Sequence, residues 1–195
     1  MINVDIIGVG GIGGYLTKFI AEYMLKGIIP YSDVNIRILD YDRIESKNLH
    51  YQNFKIDELG MYKVVALKNR YLGINSLVID VKSKFDICDA NMVILCVDND
   101  VVRNLVYKTC HSLDIEFIDI RSQGKRVFCL PKGLSYKDDS NFLDFKDKTH
   151  YSCQEKEDLK SGQIQFTNRV AASIGFQMFL NYLRGVTNHK INFMI

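Results

Sequence analysis

The chain has 195 residues, of which 47% are hydrophobic and 25% charged, and this composition is typical of a globular protein with a sizeable core. Its 25 Lys and Arg residues nearly balance 23 Asp and Glu residues, which gives a net charge of +2. Such a small charge argues against a generic nucleic-acid-binding protein, which usually carries a strong basic excess.

Targeting and membrane-spanning signals are not recognisable in the sequence. We predict no membrane span because no run of about 18 apolar residues occurs. The first residues lack the basic segment of a secretion signal and include Asp5. The five cysteines, at 88, 96, 110, 129 and 153, form no Cys-x-x-Cys pair, which favours reduced thiols in a cytoplasmic protein over a four-cysteine zinc site.

Strands and helices alternate along the chain. It opens with a strand at 4–7, a glycine-rich turn, and a helix at 15–26 in which apolar residues recur at helical spacing. Further strands are predicted at 34–40, 76–81, 91–97, 116–120, 127–130 and 191–195, and further helices at 63–72, 101–113 and 170–182. The polar segment 131–161 is predicted to be a long surface loop or crossover.

This alternation predicts an α/β fold, namely a Rossmann-like, doubly wound, mostly parallel sheet with helices on both faces. We expect a single domain over 1–195, with the long loop at about 131–161. Ligands of such sheets bind beyond the carboxyl ends of the strands. Three clusters, at 8–14, 40–52 and 98–103, are therefore expected to meet at one crevice.

The first cluster contains Gly8, Gly10 and Gly13 in a Gly-x-Gly-x-x-Gly turn. Glycines let backbone N–H groups approach a phosphate, and the N-terminus of the following helix adds a partial positive charge. The strand before the turn and the helix after it predict a nucleotide site. The alternative is that the glycines only allow tight packing of helix on strand.

Three charged residues stand at positions suited to a nucleotide. Asp40 ends the second strand, where an acid commonly binds ribose, although it lies 32 residues after Gly8 instead of the roughly 20 of dinucleotide folds. Asp98 follows the most apolar strand and offers an oxygen ligand for Mg²⁺. Lys63 begins a helix and can offset phosphate charge. The alternatives are helix caps or turns for the acids and a solvated surface position for Lys63.

Together these pieces resemble the ThiF/MoeB branch of the ubiquitin-activating-enzyme-like superfamily. The order and spacing of the similar stretches cover about residues 4–130, with a weaker similarity at 162–185. The four stretches are the glycine loop at 8–13, the segment 40–52, the Gly-x-x-Lys at 60–63 and the Asp-Asn-x-x-x-Arg region at 96–104. Of these, the segment 40–52 and the region 96–104 are specific to the family.

The resemblance implies an ATP-dependent adenylyltransferase that activates the C-terminal carboxylate of a small ubiquitin-like or sulfur-carrier protein or peptide. The carboxylate attacks the α-phosphate of ATP and gives an acyl-adenylate and pyrophosphate, which requires cations and positioning more than a strong base. Asp40 then binds ribose, Asp98 holds Mg²⁺, and Lys63 is catalytic as well as phosphate-binding. The nucleotide-binding set implied is Gly8, Gly10, Gly11, Ile12, Gly13, Asp40, Asp42, Asn48, Gln52 and Lys63.

Two cysteines and one arginine carry further expectations. Some relatives have a cysteine in the crossover that forms a thioester or persulfide with the carrier, and Cys153 lies in that loop. The alternative for Cys153 is a loop thiol without a role. Cys96 lies in an apolar strand and is predicted to be a core residue. Arg121 ends a strand and either faces the site or pairs with an acid such as Asp119.

The chain departs from the family pattern at one position that matters for charge. The arginine that precedes the final Gln of the second stretch is Tyr51 here. Separately, the sequence has none of the paired Cys-x-x-Cys zinc motifs of many relatives. The candidates for replacing the missing charge are Arg43, Lys47 and His50. The chain is thus a minimal enzyme or a degenerate, non-catalytic partner subunit, and an NAD-dependent oxidoreductase is a further alternative.

Partner expectations also come from the resemblance. It implies a carrier with a Gly-Gly-type C-terminus and a homodimer. No nucleic-acid or membrane partner is expected from the charge and the apolar pattern.

Overall fold

The computed structural model describes residues 1–132 and 166–194, and a seven-stranded sheet forms its centre. The strands are β1 (Ile2–Ile7), β2 (Val34–Leu39), β3 (Ile74–Leu77), β4 (Met92–Leu95), β5 (Glu116–Gln123), β6 (Arg126–Pro131) and β7 (Ile191–Met194). They lie in the order β3-β2-β1-β4-β5-β6-β7. The first five are parallel, and β6 and β7 are antiparallel to their neighbours.

The direction of the chain reverses after β5 because the next connection is very short. Gln123 pairs with Arg126, so only Gly124 and Lys125 form the turn. Gly124 has a φ of +52°, a left-handed conformation that suits glycine in a two-residue hairpin. A parallel neighbour would need a crossover of a dozen or more residues.

Helices cover both faces of the sheet. Among the described residues the α-helices are α1 (Gly13–Leu25), α2 (Lys63–Arg70), α3 (Asp100–Ser112) and α4 (Thr167–Leu183). The first, second and fourth share one core with Ile6 and Ile38, whereas α3 packs with Ile7 and Leu39 on the other face. This arrangement confirms the predicted fold class. No helix in the described ranges is long and apolar enough to cross a membrane.

The third strand is the element whose predicted bounds differ most from the structure. It was expected at 76–81 but is Ile74–Leu77. Its partner strand β2 ends at Leu39, and the amide of Asp40 donates the last hydrogen bond to Leu77, at 3.3 Å. Residues 78–81 therefore have no neighbouring strand to pair with, because β3 lies at the edge of the sheet.

Candidate functional site

A cleft lies at the carboxyl ends of β1, β2 and β4, and all three predicted clusters contribute to it. Gly10 follows β1, Asp40 follows β2 and Asp98 follows β4. Gln52 and Lys63 also line this cleft. The parallel sheet brings these residues together because its strands end at one edge.

The glycine loop makes a turn that larger residues would disrupt. Gly8 has a φ of +82°, and a Cβ on Gly13 would lie 2.0 Å from the carbonyl oxygen of Gly8. Gly10 is different, because a Cβ there would meet only Gln52, at 3.6 Å or more. The backbone at Gly10 is thus open to the cleft, and a phosphate can approach it.

Asp40 links the glycine loop to the turn after β2 through hydrogen bonds. Its Oδ2 accepts a hydrogen bond from the Val9 amide at 2.9 Å, and its Oδ1 accepts one from the Asp42 amide at 2.8 Å. Burial raises the pKa of the Asp40 carboxyl above its ordinary value, while the positive charge of Lys63 opposes this shift. A carboxylate oxygen can accept a second hydrogen bond, so the turn contacts leave Asp40 able to bind a ribose hydroxyl as well.

Lys63 is a buried cation at the cleft and not a solvated surface lysine. Only 6% of the residue is exposed, and its Nζ lies 2.7 Å from Asp42 Oδ2. Within the described part of the chain, it is the one Lys or Arg that lines the cleft. The cleft also has four acidic residues, Asp40, Asp42, Asp80 and Asp98.

Asn99, rather than Asp98, caps helix α3. Its Oδ1 accepts hydrogen bonds from the amides of Val101 at 2.8 Å and Val102 at 3.4 Å. Asp98 is exposed and lines the cleft, so its carboxylate is available to a ligand. In the described ranges no group of three or more His, Cys, Asp or Glu residues is arranged to hold a metal. One carboxylate together with substrate phosphates still suits Mg²⁺, which commonly keeps several waters.

Some of the predicted nucleotide-binding residues do not line the cleft. Ile12 and Gly13 lie at the start of α1, and Ile12 is buried in the core. Asn48 is 3% exposed, and its Oδ1 accepts a hydrogen bond from the amide of Glu45, so it shapes its own turn. Gln52 does line the cleft, and its Oε1 is buried without a hydrogen-bond partner among the described residues.

Tyr51 lines the cleft where the family has an arginine, and the candidate replacements lie elsewhere. The guanidinium of Arg43 stacks over the ring of Tyr62, 3.8 Å from its centroid. Lys47 forms an exposed ion pair with Glu45 at 2.8 Å. None of the three predicted replacements lines the cleft, namely Arg43, Lys47 and His50.

Buried ion pairs support the turn that carries Asp98. Arg103 of α3 donates to the carbonyl of Val97 and pairs with Asp119 of β5, which is fully buried. Arg121 Nε also donates to Asp119, at 2.8 Å, so its predicted pairing with this acid is observed. Burial alone would raise the pKa of Asp119, but the two guanidinium groups outweigh it and hold that pKa below its ordinary value.

Cys96 packs against the core as predicted, but it is only half-buried and also lines the cleft. Strand β4 ends at Leu95, and Cys96 therefore leaves the sheet toward the ligand side while still packing against the core. Cys110 is buried, and burial raises the pKa of its thiol to about 12. Cys153 lies outside the described residues.

Asn168 lies beside the glycine loop, although no sequence motif singled it out. It is the second residue of α4 and is 2% exposed. Its Oδ1 accepts a hydrogen bond from Ser122 Oγ at 2.6 Å, and a Cβ on Gly11 would lie 2.4 Å from its Nδ2. A polar residue near a helix start usually indicates capping, so the sequence gives only a weak signal for this position.

Comparisons with known proteins give one family and a set of similar folds. The sequence model of the ThiF family matches residues 2–194, and no curated protein sequence matches the chain. Similar solved structures are E. coli MccB with ATP, the microcin C7 biosynthetic enzyme MccB with N-formylated MccA, and PaaA. The TM-scores are 0.69, 0.71 and 0.68 at identities of 18%, 19% and 15%. Each alignment covers 100% of this chain and respectively 60%, 62% and 64% of the other, so this chain spans about three fifths of their length.

Proposed function

Because the chain belongs to the ThiF family, we propose that it is an ATP-dependent adenylyltransferase that acts on a substrate carboxylate. The observation that carries this proposal is the meeting of the glycine loop, Asp40, Lys63 and Asp98 around one cleft. Together they supply a phosphate turn, a hydroxyl acceptor, a cation and a metal ligand. This combination suits a nucleoside triphosphate.

The proposed roles follow from the chemistry of each group. The backbone around Gly10 and the Nζ of Lys63 offset negative charge on the phosphates. Asp40 accepts a hydrogen bond from a ribose hydroxyl. Asp98 holds Mg²⁺, which neutralises and orients phosphate oxygens when it is bound. The buried Oε1 of Gln52 is an acceptor available to a hydrogen-bond donor of a ligand in the same cleft.

The proposed reaction needs alignment more than acid–base catalysis. The substrate carboxylate is already ionised at neutral pH, so no base is required to activate it. One of its oxygens attacks the α-phosphorus of ATP, and the bond from the α-phosphorus to the oxygen that bridges it to the β-phosphorus breaks. The products are an acyl-adenylate and pyrophosphate. The contribution of the chain is to position the two reactants and to offset the charge.

For the substrate we propose a peptide or small protein with a free C-terminal carboxylate. Structures of the similarly folded MccB contain ATP or MccA, which supports this class. The finer proposals rest on the family resemblance: a ubiquitin-like or sulfur carrier with a Gly-Gly-type C-terminus, a homodimer, and a covalent adduct on Cys153. A reducible adduct that is lost in Cys153→Ser would support the last of these.

Pyrophosphate exchange tests the proposed activity. Purified protein, Mg-ATP and candidate carriers that end in Gly-Gly are mixed with labelled pyrophosphate, and incorporation of label into ATP is the expected result. Asp98→Ala should abolish exchange. Tight binding of NADH with no binding of ATP would instead favour the oxidoreductase alternative.

A second candidate function is that of a non-catalytic partner subunit. The observation that favours it is the acidic lining, in which four aspartates accompany Lys63 while Tyr51 stands where the family resemblance implies an arginine. Calorimetric titration with Mg-ATP separates the two, because a subunit that has lost the activity has no need to bind nucleotide. Binding of ATP without exchange in the presence of a verified carrier would also favour the partner subunit.

A further inference from the structure

The amide of Asn168 is buried beside the glycine loop with one of its two polar atoms unused. Ser122 Oγ donates a hydrogen bond to Oδ1 at 2.6 Å, and Nδ2 has no hydrogen-bond partner among the described residues. Buried polar atoms are nearly always paired, because an unpaired donor has lost its water without compensation. The structure therefore keeps a donor here at a cost to its stability.

The unused Nδ2 is directed at Gly11. A Cβ on Gly11 would lie 2.4 Å from Nδ2 and 3.0 Å from the amide carbon, so only glycine leaves room for this side chain. Gly11 is itself one of the residues that line the cleft. The amide thus contacts the phosphate-binding loop at Gly11, where α4 packs against α1.

The electrostatics around Nδ2 favour an anionic acceptor. Asn168 lies in the first turn of the 17-residue helix α4, and Gly11 lies just before α1. Both helices direct the positive ends of their dipoles toward this region. Thr167 Oγ1 donates to the carbonyl of Gly124 at 2.6 Å, which fixes the start of α4 against the β5–β6 turn.

We propose that Asn168 is a nucleotide-binding residue whose Nδ2 donates a hydrogen bond to a phosphate oxygen of ATP at Gly11. The inference rests on the proposed function and extends it to a residue outside the four similar stretches at 8–13, 40–52, 60–63 and 96–104. It also supplies a further hydrogen-bond donor at a cleft where Tyr51 stands in place of an arginine. The donor is neutral, and the positive end of α4 adds to its effect.

Isothermal titration with two probes tests this role. Mg-ATP carries the phosphates, whereas adenosine carries only the base and ribose. Asn168→Ala should weaken Mg-ATP binding by about tenfold, the loss expected for one hydrogen bond to a charged group. Its affinity for adenosine should stay within about twofold of wild type. Gln177→Ala is the matched control, since it removes an exposed amide from the same helix.

A second variant keeps the test informative if Asn168→Ala folds poorly. Gly11→Ala places a Cβ against Nδ2 and should displace the amide, with the same selective loss of Mg-ATP affinity. Equal weakening of ATP and adenosine, or unchanged ATP affinity, would overturn the role of Asn168 while leaving the proposed function intact. Absence of ATP binding by the wild-type protein would overturn both.

Discussion

The Nζ of Lys63 lies 2.7 Å from Oδ2 of Asp42, and the two partners differ greatly in exposure. The lysine side chain is 8% exposed, whereas the aspartate side chain is 49% exposed. The ammonium group is therefore held at the cleft by a partner that water can solvate. A nucleotide phosphate can share this ammonium group with Asp42 at little cost, because lysine has three donors and the aspartate does not become a buried, unpaired charge.

The first prediction follows from this pair. Lys63→Gln should lower pyrophosphate exchange by about 100-fold, since one preorganised donor to developing charge is worth that much. The free energy of unfolding should change by less than about 1 kcal/mol, because the remaining Asp42 is half exposed. Exchange assays and urea denaturation measure the two quantities. Lys47→Gln, which removes a lysine outside the cleft, should change neither.

The second prediction concerns Asp98, the exposed carboxylate beyond β4. Asp98→Asn should raise the Mg²⁺ concentration required for half-maximal exchange by about tenfold or more. Loss of an interaction with a charged group costs about 1.5–3 kcal/mol, which corresponds to at least such a factor in affinity. A magnesium titration at fixed ATP measures this. Asp100→Asn is the control, because Asp100 starts α3 and does not line the cleft. An equal shift in both variants would contradict a metal-binding role for Asp98.

The third prediction separates capping from binding in the same turn. Asn99→Ala should lower the free energy of unfolding by about 1 kcal/mol, because two amides of α3 lose their acceptor. The Mg²⁺ requirement of exchange should stay unchanged. A combination of chemical denaturation and magnesium titration checks both parts, and a shift in the Mg²⁺ requirement would count against the division of roles between Asn99 and Asp98.

Much of the fold and the outline of the cleft could be predicted from the sequence. Alternating strands and helices imply a parallel sheet, and the residues at its carboxyl edge, such as Asp40 and Asp98, must then be neighbours. The end of β3 could not be predicted, because it depends on where β2 stops. The reversal of chain direction after β5 depends on the two-residue turn at Gly124. One glycine in a chain of otherwise parallel strands does not by itself predict an antiparallel hairpin.

Individual side-chain roles were less accessible to sequence reasoning. Asn48 belongs to a motif that implies phosphate binding, yet it bonds to the amide of Glu45. The contact of Asn168 with Gly11 depends on the packing of α4 against α1, which joins distant parts of the chain. Cys96 is part of an apolar run, and only the end of β4 at Leu95 turns it toward the cleft. These are tertiary effects that local patterns do not encode.

The fourth prediction concerns stability within the sheet, where Asp5 of β1 lies opposite Arg37 of β2. Asp5 is fully buried, and Arg37 donates to it from Nε at 2.6 Å and from Nη2 at 2.8 Å. Asp5→Ala should destabilise the fold by about 3 kcal/mol, because the mostly buried guanidinium loses its buried partner. Asp89→Asn removes the exposed partner of the same arginine and should cost less than about 1 kcal/mol. Urea denaturation of both variants provides the comparison.

The last prediction uses the raised pKa of Asp40, which results chiefly from burial and is opposed by Lys63. Because the shift is upward, Asp40 takes up a proton at a higher pH than an exposed aspartate does. The ionised carboxylate only accepts hydrogen bonds, whereas protonation turns one of its oxygens into a donor, so adenosine affinity should fall as the pH is lowered from neutrality. Adenosine is the probe because it has no phosphate that titrates in this range.

Two variants make this pH test specific. Asp40→Asn should bind adenosine more weakly near neutral pH and should show a flat pH profile, since the titrating group is gone. Asp57→Asn, at an exposed position that does not line the cleft, should keep the wild-type profile. A pH dependence that persists unchanged in Asp40→Asn would assign it to another group, and the ribose contact proposed for Asp40 would then lose its support.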